Sequence, residues 1–460
     1  MTATEVDLLV IGGGAGGLGA AQAAARRGAR ALLVQDGPIG GDCTFTGCVP
    51  SKALLAAAAA GAGFDDAMGR VRAAVATIAA NEDDAAMAAQ GIGVRHGRAA
   101  LLGATRAEVG GEVLTAKAVV LATGAEPVVP PVPGLADADP LTNETLFELR
   151  TQPRSLAVLG GGPIGCEMAQ AFARLGTKVV LLEAADRLLG KEEPAASAIV
   201  AAALAGDGVD VRTGCALERV EPAAGGHRLH LAGGAELEVE RILVAAGRRP
   251  VTEGLGLDGA GVERDGAGFI ATDDRLATNV RGVYAVGDVT GRLPFTHAAN
   301  RMGLVAATNA LSSWRRLRPQ RFDTAAIPWV TFTDPEVAHV GMTEAEAAEH
   351  GGRVAEVPFA ALDRAIAAGR TEGYLQLIAG PRRVLGNAAG GKVLGATAVG
   401  PAAGEVIHEV ALAIRAGLFT GRLAQTVHAY PTWSVAVQMA AAQLFFEVDG
   451  RGHRPARPTI

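Results

Sequence analysis

What this 460-residue chain lacks narrows its possibilities quickly. It has four cysteines, at 43, 48, 166 and 215, with one close pair and no second, which leaves too few ligands for a structural zinc site. No metal site is expected. It has no run of basic residues and a net charge of −6, so there is no electrostatic reason to expect nucleic acid or an anionic membrane surface as a partner. The apolar stretch from Ala53 to Gly63 is too short to span a bilayer, and Met1 to Asp7 is acidic and runs straight into a strand pattern, unlike a secretory signal. These absences predict a cytoplasmic protein without membrane association. In a reducing compartment a close cysteine pair is more often catalytic than structural.

What is present is a globular chain of several domains. A 49% hydrophobic content supplies ample surface to bury, and the length exceeds one ordinary core. The cysteine pair lies in Gly40-Gly-Asp-Cys-Thr-Phe-Thr-Gly-Cys-Val-Pro-Ser-Lys52, between a glycine-rich turn and an alanine- and leucine-rich helical stretch. Unpaired amides and the positive dipole end of a helix's first turn stabilise a thiolate, and a lowered pKa makes a cysteine nucleophilic. Cys166 and Cys215 have no partner in sequence and read as small buried hydrophobes.

Two strand-turn-helix units repeat one pattern. In the first, the strand Asp7 to Ile11 leads into Gly12-Gly-Gly-Ala-Gly-Gly17, a helix from Leu18 to Arg27 and a strand from Ala31 to Gln35. In the second, Ser155 to Leu159 leads into Gly160-Gly-Gly-Pro-Ile-Gly165, a helix from Cys166 to Leu175 and a strand from Lys178 to Glu183. Because each glycine loop follows a hydrophobic strand and opens a helix, Gly12, Gly14 and Gly17, and again Gly160, Gly162 and Gly165, are placed to bring a pyrophosphate against helix N-terminal amides. Glu183 stands about twenty residues on, where a carboxylate accepts from the 2′-hydroxyl of NADH and repels the extra phosphate of NADPH. NADH is therefore favoured over NADPH, although Arg187 lies four residues further. The proline-rich Glu126 to Gly134 and Gln152-Pro153 read as linkers. After Arg321 the pattern changes to an α+β arrangement, and Gly450 to Ile460 reads as a loose tail.

Cys-x4-Cys-Val-Pro-Ser-Lys, the two fingerprints and His428-Ala-Tyr-Pro-Thr432 together resemble the flavoprotein disulfide reductases, a family that includes dihydrolipoyl dehydrogenase, glutathione reductase and mercuric reductase. The resemblance implies an α/β fold of two Rossmann-like dinucleotide-binding domains plus a C-terminal α+β dimerisation domain. It sets the FAD domain at 1–150, completed by 273–325, the NAD(P) domain at 151–272 and the dimerisation domain at 326–460. Thr331 to Glu336 and Gly400 to Glu405 are typical of that last module. The resemblance also implies that electrons pass from NAD(P)H through flavin to a Cys43–Cys48 disulfide, Cys48 facing the flavin and Cys43 meeting the substrate. Lys52 matches a family lysine near the flavin, and Glu167 its acidic partner. His297 matches a helix start near the flavin. Ala122, Thr123 and Gly124, with Gly41, Gly247, Gly287 and Asp288, match cofactor contacts, Asp288 on the ribityl chain. Gln35 stands where the family carries Glu; its amide oxygen can accept from the ribose without bringing charge. Asp42 stands where Thr is usual, and a carboxylate beside Cys43 disfavours its thiolate.

The C-terminal motif departs further. Disulfide-reducing members read His-Pro-Thr with a Glu two residues later, and the His, contributed across the dimer, protonates the leaving thiol while the Glu orients it. Here Tyr430 takes the His position and Val435 the Glu position, leaving His428, two residues away, as a substitute only if the loop were reshaped. Mercuric reductases place Tyr near this position but add a C-terminal vicinal cysteine pair; the last cysteine here is Cys215. The expected protein is a homodimeric FAD and NAD(P)H enzyme that reduces a small-molecule disulfide or an acceptor needing less proton delivery. A metal-ion or quinone reductase is the alternative. A non-catalytic redox-sensing flavoprotein is disfavoured by the complete cofactor motifs.

Overall fold

The computed structural model describes residues 4–312, 318–381 and 390–458. Its contacts divide into two compact units, one of Met1–Pro131, Asp139–Gln152 and Leu243–Phe322, the other of Val132–Ala138, Pro153–Ile242 and Asp323–Ile460. The crossings at Pro131 and Gln152 fall in the segments whose prolines mark linkers.

In the first unit a seven-stranded sheet runs Ile92–His96, Ala31–Gln35, Thr4–Ile11, Glu112–Leu121, Arg106–Val109, Ala99–Gly103, with Val283–Ala285 pairing in parallel onto Glu112–Leu121. The strand Thr4–Ile11 is parallel to both neighbours, Leu9 lying opposite Leu32 and Val119. A central parallel strand is covered on both faces, which demands a continuous apolar run rather than alternation. Leu8, Leu9 and Val10 are fully buried accordingly, each contributing roughly 1.5–3 kcal/mol. The helix Ala15–Ala25 packs on the helix Thr296–Leu311 through glycine: a Cβ on Gly303 would lie 2.1 Å from Gly16 O, and one on Gly19 would lie 2.6 Å from Asn300 O. Only small residues allow that approach.

The second unit repeats the strand-turn-helix pattern with parallel strands Ser155–Leu159, Lys178–Leu182 and Asp210–Arg212 and the helix Pro163–Arg174. Both fingerprint helices begin three residues before the glycine-free sequence suggests, at Ala15 and Pro163, because the ends of the loops are already the helices' first turns. The unit also holds an antiparallel sheet ordered Trp329–Thr331, Glu336–Gly341, Val393–Gly400, Tyr374–Ala379, Arg353–Pro358, Arg454–Pro455. Helices Ala403–Arg415 and Val435–Gln443 close its core, where Leu375, Leu377, Ile407 and Val437 are fully buried.

The tail expectation is corrected. Arg454–Pro455 pairs with Val354 and Arg353 as the last strand of this sheet, and the Arg454 guanidinium pairs with Glu344. A short segment rich in Arg, Gly and Pro lacks the apolar alternation that marks a strand, so an ion pair and backbone bonding fixed it unseen. The expectation for Thr459 and Ile460 lies outside the described residues.

The tightest point of each fingerprint is its last glycine. A Cβ on Gly165 would lie 1.8 Å from Gly160 O, as one on Gly17 would from Gly12 O. Gly165→Ala should lower stability by about 1–3 kcal/mol through overpacking and weaken NADH binding. Calorimetric melting with and without NADH checks this; an unchanged melt and unchanged NADH shift would show that the loop tolerates a methyl.

Candidate active site

In the first unit the fold gathers most of the expected flavin contacts around one glycine loop. Gly12 has φ +107°, and a Cβ there would lie 2.2 Å from Ala122 O, so the Ala122–Gly124 segment passes directly against the loop. Thr123 Oγ1 donates to Val251 O at 2.7 Å, and Val251 N–H donates to Gly124 O at 3.1 Å. From the other side Gly40 N–H donates to Gly13 O at 2.9 Å, and Gly41, with φ +63°, would put a Cβ 2.8 Å from Gly14 Cα. Gly287 and Asp288 follow the strand Val283–Ala285 in a short 3-10 turn, Val286 N–H donating to Leu121 O at 2.9 Å. Gly14 caps the helix Ala15–Ala25 with no side-chain hydrogen bond, which leaves first-turn amides for a ligand's phosphates.

Gln35 closes this loop from the end of its strand. Its Oε1 accepts from Gly13 N–H at 2.6 Å, while Nε2 donates to Asp36 O and Pro38 O at 3.1 and 3.2 Å. The two carbonyls fix the amide's orientation, and its oxygen keeps one lone pair for a ribose hydroxyl. Glu183 does the same in the second unit: Oε2 accepts from Gly161 N–H at 2.6 Å and Oε1 from Ala185 N–H at 2.8 Å. Of the arginines near Glu183, Arg187 donates to Glu192 O and Gly190 O at 2.8 and 2.6 Å, and Arg212 pairs with Asp210. Gly162 also caps its helix without a side-chain bond. The residues of both loops therefore fit dinucleotides. Gly247 belongs to the first unit, its carbonyl accepting from Val128 N–H at 3.0 Å, and Gly160 to Glu183 belong to the second.

Cys43 lies in the short helix Gly41–Phe45, and Cys48 is the first residue of the helix Cys48–Ala59, where amides and dipole favour its thiolate. Cys43 is half-buried and Cys48 exposed. The Cys43 thiol is pushed far above its usual range by its hydrogen bond to Cys48, by burial and by the negative charge on Cys48; Glu82 adds to this and Thr296 opposes it. Cys48, exposed and at a helix start, is the better placed of the two to carry the thiolate, and its Sγ lies 3.2 Å from Thr296 Oγ1. The Asp42 carboxylate is paired with Arg248, which offsets the repulsion expected at Cys43. Lys52 lies on the same helix as Cys48. Thr296 opens the helix that carries His297, whose ring stacks on Phe295 at 5.8 Å.

The second unit holds the remaining candidates. Glu167, 3% exposed, accepts from Phe332 N–H at 2.9 Å through Oε1, tying the fingerprint helix to the Thr331–Glu336 segment. Tyr430 is 73% exposed and donates to Asp363 Oδ2 at 2.7 Å, which raises its pKa and keeps it a phenol. His428 has a 5% exposed side chain, with Nε2 2.9 Å from Glu409 Oε2 and Nδ1 3.0 Å from Thr426 O. Both ring nitrogens face acceptors within its own unit. Val435 opens the helix Val435–Gln443 and brings no carboxylate. Cys166 is fully buried and its thiol raised by burial, as expected, but Cys215 is only half-buried. Asp363, Glu409, Thr296 and Arg248 were missed. The first two sit on helices 67 and 19 residues before their partners with no motif around them; Thr296 and Arg248 adjoin residues that were singled out.

Among the described residues no group of three or more His, Cys, Asp and Glu is placed to hold a metal ion, and no helix is long and apolar enough to cross a membrane.

A dithiol on a helix start beside one dinucleotide loop, with a second such loop in the other unit, defines a nicotinamide-linked disulfide reductase. The chain belongs to the pyridine nucleotide-disulphide oxidoreductase family: that family's pattern matches residues 6–303, and its dimerisation domain matches residues 327–441. The chain is 34% identical to the dihydrolipoyl dehydrogenase of Chlamydia muridarum, over 98% of each chain. It is 36% identical to the mercuric reductase of Streptomyces lividans, over 95% of this chain and 96% of the relative. Among solved structures it resembles the HOCl-induced flavoprotein disulfide reductase RclA from Escherichia coli, with a TM-score of 0.86 and 29% identity over 95% of this chain and 99% of that one. It is accordingly an FAD-dependent, NAD(P)H-linked oxidoreductase of this family, with the expected α/β fold.

Removing Cys48's charge should release Cys43. In the reduced protein, Cys48→Ser should lower the apparent pKa of Cys43, so that iodoacetamide modifies Cys43 at lower pH than in the wild type. Peptide mapping across a pH series reads this directly; an unmoved or raised Cys43 profile would show that Cys48 is not the ionised partner.

Proposed function

We propose that the enzyme passes electrons from NADH through a Cys43–Cys48 dithiol to an acceptor that makes little demand for proton delivery. FAD, when bound, supplies the two-electron relay between nicotinamide and dithiol. The resemblance assigns residues 1–150 and 273–325 to FAD, 151–272 to NADH and 326–460 to homodimer formation; of these, 243–272 pack within the first unit. Gly12, Gly14, Gly17, Gly41 and Ala122 to Gly124 carry the flavin's phosphates and ribityl chain together with Asp288, and Gln35 its ribose. Gly160, Gly162, Gly165 and Glu183 carry NADH, a choice supported by the engagement of Arg187 with backbone carbonyls. A reducing, cytoplasmic setting suits a cycling cysteine pair.

With a disulfide acceptor, Cys43 gives its proton to Cys48 along their hydrogen bond as its sulfur attacks one acceptor sulfur and expels the other as thiolate. Cys48 then attacks Cys43, closing the internal disulfide and releasing the second thiol. Two protons are consumed: one originates on Cys43 and the other must come from solution. The observation that carries the reading is the missing acid. Tyr430 is held as a phenol by Asp363, and His428 is engaged by Glu409 and Thr426. A leaving thiolate is thus unassisted, which favours acceptors whose thiols are acidic or which release no thiol at all.

Metal-ion reduction is the second reading, favoured by mercuric reductases among the relatives and by the copper(II) complex of RclA among the structural neighbours. Quinones meet the same proton argument. General acid catalysis contributes about 10²- to 10⁴-fold, so lipoamide turnover should fall below that of an aromatic disulfide by a comparable factor. Steady-state assays with NADH against lipoamide, a nitrobenzoate disulfide, metal ions and quinones test it. Tyr430→His with Val435→Glu should raise lipoamide turnover more than Tyr430→His alone. Equal wild-type rates on both disulfides would sink the reading and make His428→Ala the next experiment.

For the coenzyme, NADH should give higher kcat/KM than NADPH, and Glu183→Ala should narrow the gap. A wild-type preference for NADPH would overturn the assignment of Glu183.

A further inference from the structure

Asp42 adjoins Gly41, and Gly41 touches Gly14 backbone to backbone, while Gly40 N–H is bonded to Gly13 O. Its carboxylate is therefore carried on chain tied to the loop that receives a pyrophosphate. Asp288 is tied to the same loop: Gly16 packs against Val286, where a Cβ would meet Val286 Cγ2 at 3.1 Å. Burial raises the pKa of Asp288, Arg248 opposes that rise, and Asp42 adds to it. Two carboxylates on chain tied to a binding site for a diphosphate oppose its occupation by like-charge repulsion, which water screens in part because the Asp42 side chain is 47% exposed. One group lies between them. Arg248 pairs with Asp42 and donates to Ala125 O through the same nitrogen, and its Nε stands 3.9 Å from Asp288 Oδ2. That Nε is buried and has no hydrogen-bond partner. Glu144 is reached by the same charges, raised by burial and by Asp42 and lowered by Arg248.

We propose that Arg248 is a positioning residue for FAD, its guanidinium neutralising Asp42 and Asp288 so that the Gly12–Gly17 loop accepts the cofactor's negative diphosphate. The pair Asp42 and Arg248 acts as one unit: the arginine is required because the aspartate is there. This rests on the assignment of that glycine loop to FAD.

The test is FAD affinity of the stripped protein, read by flavin fluorescence, at low and high salt. Removing the positive charge in Arg248→Gln leaves both carboxylates without their counter-ion and should weaken FAD binding roughly ten- to hundredfold, with added salt restoring part of the loss by screening. Asp42→Asn should leave Arg248 free to attract the diphosphate, tightening FAD binding and making it weaken with added salt. The double variant should return most of the way to the wild type, and Arg248→Lys should rescue in part. An Asp42→Asn variant that binds FAD more weakly, or a double variant whose losses add, would overturn the proposal even if Arg248→Gln fails to fold. Wild-type protein unable to bind one FAD per chain would remove the loop assignment itself, which separates the two failures.

Discussion

The closest constraint among the described glycines is the distance between a loop carbonyl and the fifth residue after it. Gly12 O and Gly160 O each stand where a methyl on Gly17 or Gly165 would have to go. That contact turns the chain sharply from strand to helix and leaves the helix's first amides uncovered. In the first unit three other segments are then drawn to the same point: Ala122 against Gly12, Gly41 against Gly14 and Val286 against Gly16. Bringing the segment that leads into the dithiol to this glycine loop is thus largely a consequence of backbone packing.

Much of this was legible in the sequence because glycine and cysteine speak locally. A glycine loop between an apolar strand and a helix has few other uses, and two of them with a Cys-x4-Cys pair leave little freedom in fold or chemistry. What escaped notice were ion pairs and hydrogen bonds made across long stretches of chain. Arg248 reaches Asp42 over 206 residues, and no spacing rule links them. The tail failed for a related reason: backbone bonding and one arginine recruited Arg454–Pro455 to a sheet although its residues lack strand character. Cys215 was expected to be buried because cysteine usually is, yet its surroundings leave it half-exposed.

Charge is handled differently in the two nucleotide loops although their backbones match. The second uses a carboxylate, Glu183, on Gly161 N–H; the first uses a neutral amide, Gln35, on Gly13 N–H. The first loop already has Asp42 and Asp288 nearby and a single guanidinium between them. A further carboxylate at position 35 would add negative charge to the same loop. An amide keeps the hydrogen bond and spares the charge.

The pairing of Arg454–Pro455 with the strand Arg353–Pro358 bears on how the chain is made. During synthesis Glu344 waits 110 residues for its arginine, and until then the outer edge of Arg353–Pro358 offers unpaired amides and carbonyls to any other extended chain. In the finished protein burial pushes the Glu344 carboxyl up, while hydrogen bonds and charge from Arg454 bring it below its usual range. A chain clipped by a protease ahead of Arg454 would lose both the edge cover and the counter-ion at one cut. Such a product would be prone to aggregate with every cofactor residue still in place.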